Sequence, residues 1–423
     1  MAAGTGVEPD IELARGMFDS LRAHTSVGRG ITRATYGEGE NFAHGLARKT
    51  AEGLGLEIRT DAALNLYMTL PGKRRELPRL MTGSHMDSVP QGGNYDGAAG
   101  VVAGLSALGG LRRQAITPER DVTVMAIRAE EAAWFNSAYI GSHAAFGRLD
   151  PQAFDVRRAD SGRPLAEHLA EAGGDVAALR RGQAHLDPKS IAAFIEVHIE
   201  QGPVLEAKGL PIGLVTGIRG CLRHAYAHCF GAYAHSGAAP REARHDAVAA
   251  TVELLQRLNE HWLAVEEAGE DLVFTVGQLN TDPAVAAPSK VAGETSFVLD
   301  FRGLKEKVMR DASATAETLA AEIAQRHRVH FELGEGNYSY PAILDAGLRG
   351  RLAALAQDLG LPAMELASGA GHDSAVFTEF GVPSAMIFIR NAHGSHNPEE
   401  AMELADFAAA TRLLASFLAA DKP

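Results

Sequence analysis

Apolar runs of strand length alternate with amphipathic stretches of helix length along most of the chain, a pattern typical of α/β proteins. In the first half the spacing of apolar positions predicts helices over 11–23, 41–54 and 97–111, and strands over 64–70, 80–84, 122–127 and 191–199. Asp96 directly precedes the third of these helices, where an aspartate could cap the helix N-terminus.

The pattern changes between about residue 213 and residue 330. Here the sequence predicts, in order, a strand over 217–230, a helix over 241–264, strands over 272–279 and 294–302, a helix over 304–326 and a strand over 329–333. This βαββαβ order is that of a ferredoxin-like unit. Because strand and helix signals resume afterwards, we expect an inserted domain over 213–330 that interrupts a larger domain made of 1–212 and 331–423.

Length and composition agree with two domains of a globular protein. The 423 residues are more than one ordinary core accommodates, and 46% hydrophobic with 22% charged residues is typical of soluble chains. The first ten residues have neither a basic region nor an apolar core, so they predict no secretory signal, and no run approaches the ~18 apolar residues of a membrane span. We therefore expect a cytoplasmic protein that does not enter a membrane.

Charge and cysteine content exclude further classes. The net charge is −13, from 40 basic and 53 acidic residues, which argues against nucleic-acid binding because that needs a basic face. Only two cysteines occur, Cys221 and Cys229, so a disulfide framework is excluded and a thiolate metal site is disfavoured.

Histidines and carboxylates recur at the ends of the predicted strands. His85, Asp87 and Asp96 lie among glycines, which let a backbone fold closely around a site. In extended chain His85 and Asp87 share a face, so Asp87 could accept a hydrogen bond from the ring nitrogen that points away from a metal. His198 ends a later strand, and His396 lies in a glycine-flanked loop where His393 is a competitor for the same role.

The doublet Glu130-Glu131 follows an apolar strand. Adjacent side chains of an extended chain point to opposite sides, so one carboxylate can bind a metal while the other handles a proton. Together with the histidines they form a set suited to two divalent ions of Zn²⁺, Mn²⁺, Co²⁺ or Ni²⁺ type, because the ligands are nitrogen and oxygen. In outline, the sequence predicts a hydrolase.

Several of these stretches resemble the M20-type metallohydrolases, in the same order over nearly the whole chain. They are Gly83–Gly97, Glu130-Glu131, Glu196–Gly202, Ala234–Gly237, Asp300–Arg302, Gly369–Asp373 and Ser395-His396. Within that family, His-Ile-Glu-Gln-Gly-Pro and Gly-Ala-Gly-His-Asp resemble the hydantoinase/carbamoylase branch of N-carbamoyl-L-amino-acid hydrolases, β-ureidopropionases and allantoate amidohydrolases. The resemblance implies a mixed-sheet α/β dinuclear metallohydrolase domain with an inserted ferredoxin-like α+β lid and dimerisation domain, and a homodimer.

The resemblance also implies roles for the residues. Asp96 would bridge two metal ions, with His85 and His198 on one ion and Glu131 and His396 on the other. Glu130 would be the general base, which takes a proton from a water and returns it to the leaving nitrogen.

Substrate contacts follow from the resemblance as well. Gln201 and the backbone at Gly371 match positions that touch the substrate. His235 matches a histidine that reaches a neighbouring subunit's site and stabilises the oxyanion. Arg302 matches the residue that clamps the carboxylate of a small-molecule substrate.

The chain departs from the branch in the substrate pocket. Ser289 stands where the branch usually has Asn, and Ser-Gly-Ala-Ala-Pro at 236–240 replaces Ala-Gly-Thr-Thr-Pro. The leading expectation is cleavage of an N-carbamoyl amino acid to the free amino acid, CO₂ and NH₃. Allantoate, a β-ureido acid or an N-acyl amide stays open as the substrate, as does an M20-type exopeptidase or dipeptidase activity. A non-catalytic relative would be expected to have lost a ligand or the base, and none is missing.

Overall fold

A computed structural model describes residues 6–420, and the chain forms two compact units. Unit 1 contains the described residues up to Thr216 and again from Ile343 onward, and unit 2 is Gly217–Ala342. Unit 2 extends past residue 330, where the sequence pattern ended the inserted domain, because strands at His330–Glu332 and Asn337–Ser339 both pair with the long strand Gly220–Phe230.

The main sheet of unit 1 is mixed. Its strands are β3 (Glu57–Thr60), β4 (Leu66–Leu70), β5 (Arg79–His85), β6 (Val122–Ile127), β7 (Ile191–Ile199), β8 (Ile212–Ile218), β17 (Ala342–Ile343), β18 (Ala363–Ser368) and β19 (Ser384–Ile389), preceded by a separate small hairpin of β1 (Ser26–Val27) and β2 (Gly30–Ile31). The order is β17-β8-β19-β7-β5-β6-β4-β3, with β18 beside β8. The four central strands β19, β7, β5 and β6 run parallel, and antiparallel strands flank them.

Helices surround this sheet. They are α1 (Ile11–Thr25), α2 (Glu38–Gly53), α3 (Ala98–Arg113), α4 (Ala132–Phe135), α5 (Ile140–Ala145), α6 (Leu165–Ala172), α7 (Val176–Arg180), α8 (Val204–Lys208), α11 (Ala346–Asp358), α12 (Asp373–Glu379) and α13 (Leu404–Ala420). Every residue of β6 and β19 is buried, as expected for parallel strands covered on both faces.

Helix α3 packs directly on the central strands. A Cβ on Gly100 would lie 2.2 Å from the carbonyl oxygen of Val197 in β7, so only glycine permits this close approach. The N-terminus of α3 is thereby fixed beside the ends of β5 and β7. Gly97 is the N-cap residue and no side chain caps the helix, so the prediction that Asp96 caps it is wrong. The carboxylate of Asp96 instead accepts a hydrogen bond from the side chain of Gln201.

Unit 2 is a sheet with two long helices, α9 (Ala247–Glu267) and α10 (Glu306–His327). The sheet contains β9 (Gly220–Phe230), β11 (Val273–Thr275), β12 (Leu279–Asn280), β14 (Glu294–Gly303), β15 (His330–Glu332) and β16 (Asn337–Ser339), and a separate antiparallel pair is formed by β10 (Ala234–His235) and β13 (Lys290–Val291). The sheet order is β11-β14-β9-β15, with every pair antiparallel, and the two helices share a core with it.

Two elements of unit 2 differ from the sequence pattern. Helix α9 begins at Ala247 rather than 241, because the Asp246 side chain caps it by accepting the amide of Ala249. The strand predicted over 272–279 is two short strands, β11 and β12, which both pair with β14. Among the described residues no helix has the length and apolar character needed to span a membrane.

Candidate metal centre

Four central strands deliver the candidate ligands to one edge of the main sheet. Strand β5 ends at His85, β6 leads into Glu130-Glu131, β7 carries His198, and the loop after β19 carries His396. Because the carboxyl ends of parallel strands meet at the same edge, residues more than 300 positions apart in sequence are gathered there. The N-terminus of α3 adds Asp96 to this edge.

The carboxylate of Asp96 lies at the centre of the set. Its Oδ1 is 3.4 Å from Nε2 of His85 and 3.3 Å from Nε2 of His198. Its Oδ2 is 3.4 Å from Nε2 of His396, which is also 3.4 Å from Oε1 of Glu131. The two oxygens of one carboxylate thus face two separate groups of potential ligands, and Oδ1 is buried without a hydrogen-bond partner.

The two buried histidines present the same ring nitrogen to this carboxylate. Nδ1 of His198 lies 2.9 Å from the carbonyl oxygen of Ile199, and Nδ1 of His85 lies 3.1 Å from that of Asp87. A carbonyl oxygen can only accept, so Nδ1 carries a proton, and in the neutral ring the lone pair is on Nε2. Ligand histidines in metal proteins are oriented by such contacts. The sequence predicted that the Asp87 carboxylate would be the acceptor, but its Oδ1 is 3.4 Å away and the backbone carbonyl is nearer.

The Asp87 carboxylate holds the glutamate doublet in place. Oδ1 accepts the backbone N–H of Glu130 at 3.1 Å, and Oδ2 accepts that of Glu131 at 3.3 Å. Oδ2 also accepts the hydroxyl of Thr35 at 2.6 Å. Ala129, just before the doublet, has a left-handed φ of 58°, so the chain turns sharply here and needs this support.

The two glutamates make their described contacts with different histidines, although one oxygen of each lies within 4.8 Å of a ring nitrogen of His85. Oε2 of Glu130 is 3.9 Å from Nε2 of His85, whereas Glu131 approaches His396. Both glutamates are buried. Burial raises the pKa of Glu130 well above its usual range, the positive charge of His85 opposes this, and the charges of Glu131 and Asp373 add to it.

The histidines and the other carboxylates of the cluster shift one another's pKa values. Burial opposes it, but the nearby imidazoles of His198, His396 and His85 hold the pKa of Asp96 well below its usual range. Hydrogen bonds to Asp96 and Glu131 raise the pKa of His396 to about 10. A divalent cation would compete for the same nitrogen and oxygen atoms, because ligation requires these groups to be deprotonated.

The donor set fits divalent cations of the expected kind. It contains three imidazoles and three carboxylates, in groups of three whose ligand atoms lie within 4.8 Å of one another. The site also leaves no room for a larger residue at Gly97, which has a φ of 62° and where a Cβ would lie 2.4 Å from the ring of His85. Nitrogen and oxygen ligands without thiolate favour a borderline or hard divalent ion.

Two predicted substrate-contact residues belong to unit 1. Nε2 of Gln201 donates a 2.8 Å hydrogen bond to Oδ2 of Asp96, and its Oε1 is buried without a partner. Gly371 is exposed and faces the hydroxyl of Tyr139, which lies 1.8 Å from where a Cβ would be, so no side chain fits there. His393 belongs to none of the ligand groups, which leaves His396 as the histidine of this loop.

The remaining predicted residues belong to unit 2. His235 is exposed, and its Nδ1 accepts the backbone N–H groups of Gly237 and Ala238 at 3.1 and 3.2 Å. The carbonyl oxygen of Ser289 accepts the amide of Ser236, so Ser289 lies beside the histidine segment. The guanidinium of Arg302 contacts the carboxylate of Asp300 at 3.3 Å through Nε and Nη2.

Sequence reasoning missed several polar residues around the ligands. Thr35 and Arg33 lie in a segment with no pattern that points to a metal site, and Glu400 follows the His396 loop. Ser395 contacts the carboxylate of Asp96, and its position directly before His396 was the one available signal.

Comparison with known proteins places the chain in a family. The model for peptidase family M20/M25/M40 matches residues 81–420. An N-carbamoyl-L-amino acid amidohydrolase of Geobacillus stearothermophilus is 33% identical over 372 residues, which is 88% of each chain. The allantoate amidohydrolase of Escherichia coli strain K12 is 32% identical over 393 residues, 92% of each chain.

Solved structures agree with this. The crystal structure of a hydantoinase/carbamoylase family amidase from Burkholderia multivorans matches with a TM-score of 0.89 and 25% identity, covering 97% of this chain and 98% of the other. The chain therefore belongs to peptidase family M20/M25/M40 and, within it, to the hydantoinase/carbamoylase branch of amidohydrolases.

Proposed function

We propose that this protein hydrolyses the C–N bond of an N-carbamoyl amino acid. Water adds to the carbamoyl carbon, the bond to the amino-acid nitrogen breaks, and the products are the free amino acid and carbamic acid, which decomposes to CO₂ and NH₃. The observation that carries the proposal is the Asp96 carboxylate, whose two oxygens face two separate groups of imidazole and carboxylate ligands. The name and coverage of the Geobacillus relative support the choice of substrate class.

Two divalent ions would be held by this set. His85 and His198 would hold one, Glu131 and His396 the other, and Asp96 would be shared between them. When bound, such ions supply a water of lowered pKa and a Lewis acid for the carbonyl oxygen. We propose a class of ion, Zn²⁺, Mn²⁺, Co²⁺ or Ni²⁺, and not one metal, because nitrogen and oxygen ligands suit all four.

Glu130 would move the proton. It accepts a proton from the attacking water and returns it to the amino-acid nitrogen as the C–N bond breaks, so that the nitrogen leaves as a neutral amine. Its buried position beside Glu131 and Asp373 raises its pKa, and a general base is most effective when its pKa is near the working pH. Its amide is anchored on Asp87, so the position of its carboxylate is set by the backbone.

Unit 2 would be a ferredoxin-like lid and dimerisation domain. Of its four main strands in chain order, β9, β11, β14 and β15, the first and third lie at the centre of the antiparallel sheet. Both helices share one core with this sheet, which supports the assignment. Because Nδ1 of His235 accepts two backbone N–H groups, its neutral ring carries the proton on Nε2. We propose that this N–H stabilises the oxyanion in the site of a partner subunit of a homodimer.

Arg302 would bind the substrate carboxylate, and Ser289 would lie in the same pocket. The carboxylate of Asp300 fixes the Arg302 guanidinium and is itself held by Arg223 at 2.7 Å, so the cation is oriented before substrate arrives. Gln201, whose amide already contacts Asp96, and the backbone at Gly371 would complete the substrate contacts.

Allantoate is the second candidate substrate. The Escherichia coli relative named allantoate amidohydrolase is nearly as similar as the Geobacillus enzyme and matches over more of its length. Allantoate carries both a carboxylate and ureido groups, so the same residues could bind and cleave it.

A substrate panel tests the proposal. Protein loaded with Mn²⁺ is offered N-carbamoyl-α-amino acids, N-carbamoyl-β-alanine, allantoate, N-acetyl amino acids and dipeptides, and ammonia and free amine are measured. Glu130→Gln protein is the control for contaminating hydrolases. We expect release of ammonia and amino acid in equal amounts from N-carbamoyl-α-amino acids. Preferential cleavage of dipeptides or N-acetyl amino acids would overturn the proposal, and preference for allantoate would establish the second candidate.

The role of His235 across a dimer has its own test. Glu130→Gln and His235→Ala proteins are each purified, mixed under conditions that exchange subunits, and assayed together. One site of each hybrid then combines an intact Glu130 with an intact His235, so we expect partial recovery of activity. No recovery after exchange has been verified by mass spectrometry would contradict a contribution from the partner subunit.

A further inference from the structure

Arg33 is a fully buried cation beneath the candidate metal centre. Its side chain has no solvent exposure and leaves the segment after β2 to lie between two loops of the site. Nε donates to the carbonyl oxygen of Met86 at 2.7 Å, and Nη2 donates to that of Asp96 at 3.2 Å. One guanidinium therefore joins the loop after His85 to the backbone of the central carboxylate residue.

The backbone of Arg33 is fixed in turn. Its N–H donates to the hydroxyl of Ser88 at 2.9 Å, and its carbonyl accepts the Ser88 amide at 3.0 Å. These bonds hold the arginine at both its main chain and its side chain, so the guanidinium has a defined position.

Glu400 approaches the same backbone from the amide side. Its Oε1 accepts the N–H of Tyr95 at 2.8 Å and that of Asp96 at 3.3 Å, and its Oε2 lies 3.1 Å from the hydroxyl of Ser395. Ser395 also contacts Oδ2 of Asp96, so Glu400 links the His396 loop to the residue that faces both ligand pairs. Gly93 makes room for this carboxylate, because a Cβ there would lie 2.0 Å from it.

We propose that Arg33 and Glu400 are positioning residues that hold Asp96 from its backbone carbonyl and its backbone amide, and thereby set its carboxylate between the two ligand pairs. The hydrogen bonds of both residues to Asp96 end on its backbone, and Glu400 also accepts from the hydroxyl of Ser395. The inference rests on the proposed function only in taking Asp96 as the ligand shared by two ions.

Hydrogen-bond geometry, rather than charge alone, is what Arg33 supplies. A planar guanidinium presents donors on separate nitrogens in a rigid fork, whereas the ammonium of lysine donates from one atom whose N–H groups rotate freely. A residue acting only as a positive charge would oppose cation binding, so its removal would strengthen metal affinity. A residue that positions a ligand has the opposite effect, because loss of such outer contacts typically weakens metal binding by about 10- to 100-fold.

The test measures Mn²⁺ binding directly, by the electron paramagnetic resonance signal of the free ion, in wild-type and Arg33→Lys proteins. We expect two sites in the wild type and roughly 10- to 100-fold weaker binding in Arg33→Lys. The absorption spectrum of Co²⁺-saturated protein should also change, since the ligand field depends on where Asp96 lies. The matched control is Arg120→Lys, in which a buried arginine that donates to the carbonyl of Pro78 at 2.7 Å is changed at the other end of the sheet.

Glu400 provides a second, independent arm. Glu400→Ala leaves two buried amides without an acceptor and should weaken Mn²⁺ binding, whereas Glu400→Gln keeps an acceptor and should restore most of it. Its neighbour Glu399, which pairs with Arg29 at the surface, gives the control Glu399→Ala with unchanged binding. If Arg33→Lys does not fold, the comparison of Glu400→Ala with Glu400→Gln decides.

The outcomes separate the inference from the proposed function. Wild-type affinity and Co²⁺ spectrum in Arg33→Lys, or equal binding by Glu400→Ala and wild type, would overturn the positioning roles. Tighter binding in an Arg33→Met protein would show a role of charge only and would also overturn them. Absence of stoichiometric Mn²⁺ binding in the wild type would instead contradict the proposed function.

Discussion

The carboxylate of Asp87 accepts the backbone N–H of Glu130 at 3.1 Å, although the two residues are 43 positions apart. The same carboxylate accepts the next amide along the chain, that of Glu131. Asp87 thus fixes the main chain from which the proposed base and a proposed ligand both extend. Its contact with the ring of His85 is secondary, because the ring nitrogen lies nearer to the backbone carbonyl.

Asp87→Asn should lower kcat strongly and the free energy of unfolding only slightly. In the wild type, both backbone N–H groups donate to carboxylate oxygens of Asp87. Asparagine turns its NH₂ group, which is itself a donor, toward one of these N–H groups, so the glutamate doublet must shift. We expect kcat to fall by about 10- to 100-fold, the scale found for outer-shell partners of metal ligands. Thr35→Val, which removes only the hydroxyl donor to Asp87, should have a smaller effect. Wild-type kcat in Asp87→Asn would refute the anchoring role.

Glu130→Gln and Glu131→Gln should fail in different ways. The first removes the proposed base and leaves the five proposed ligands intact, so metal content should stay normal while kcat falls by about 100- to 10,000-fold. The second removes a proposed ligand, so it should lose metal as well as activity. Metal content by plasma mass spectrometry and steady-state kinetics distinguish them. Equal metal loss in both variants would mean that Glu130 is a ligand and not a free base.

Gly97→Ala should abolish metal binding for a steric reason. The added Cβ would lie 2.4 Å from the His85 ring, in a backbone with φ of 62° that alanine also disfavours. The control is Gly162→Ala, where φ is 65° and no atom lies within 4 Å of the new Cβ. That control should cost only ~1 kcal/mol of stability, the strain of the left-handed backbone. Titration with Mn²⁺ checks both, and normal binding in Gly97→Ala would contradict the described packing.

His44 should make the protein less stable in mild acid. Burial, with the charges of Arg128 and Arg48, holds its pKa well below the usual range, so it stays neutral when folded. The unfolded chain binds this proton below about pH 6.5, so the contribution of His44 to stability falls as the pH falls through that value. In His44→Leu the slope of unfolding free energy between about pH 5 and pH 6 should therefore be smaller by roughly 1 kcal/mol per pH unit. Urea titrations at several pH values measure this slope. An unchanged slope would mean that native His44 accepts the proton.

The sequence indicated most of the candidate ligands because they end, or follow, apolar strands. His85, His198 and the Glu130-Glu131 doublet come directly after runs that β5, β7 and β6 bury completely or nearly so. Parallel strands bring such positions to one edge, and no knowledge of side-chain contacts is needed to expect it. The family resemblance then supplied the division of roles, which strand order alone does not.

The supporting residues could not be predicted in the same way. Glu400 contacts the amide of Asp96 across 304 positions, and Arg33 reaches its carbonyl across 63. Both bonds end on backbone atoms, which carry no residue-specific signal. Unit 2 shows the same limit at its boundary, because β16 is a short strand that no sequence pattern indicated and that is recognised only by its pairing with β9.

The proposed function depends above all on Asp96 being shared between two metal ions at this edge of the sheet. The most direct test is an anomalous difference map of crystals loaded with Mn²⁺ or Zn²⁺. We expect two peaks about 3.5 to 4 Å apart, one near His85 and His198 and the other near Glu131 and His396, with one Asp96 oxygen on each. A single peak, or two peaks that Asp96 does not join, would contradict it.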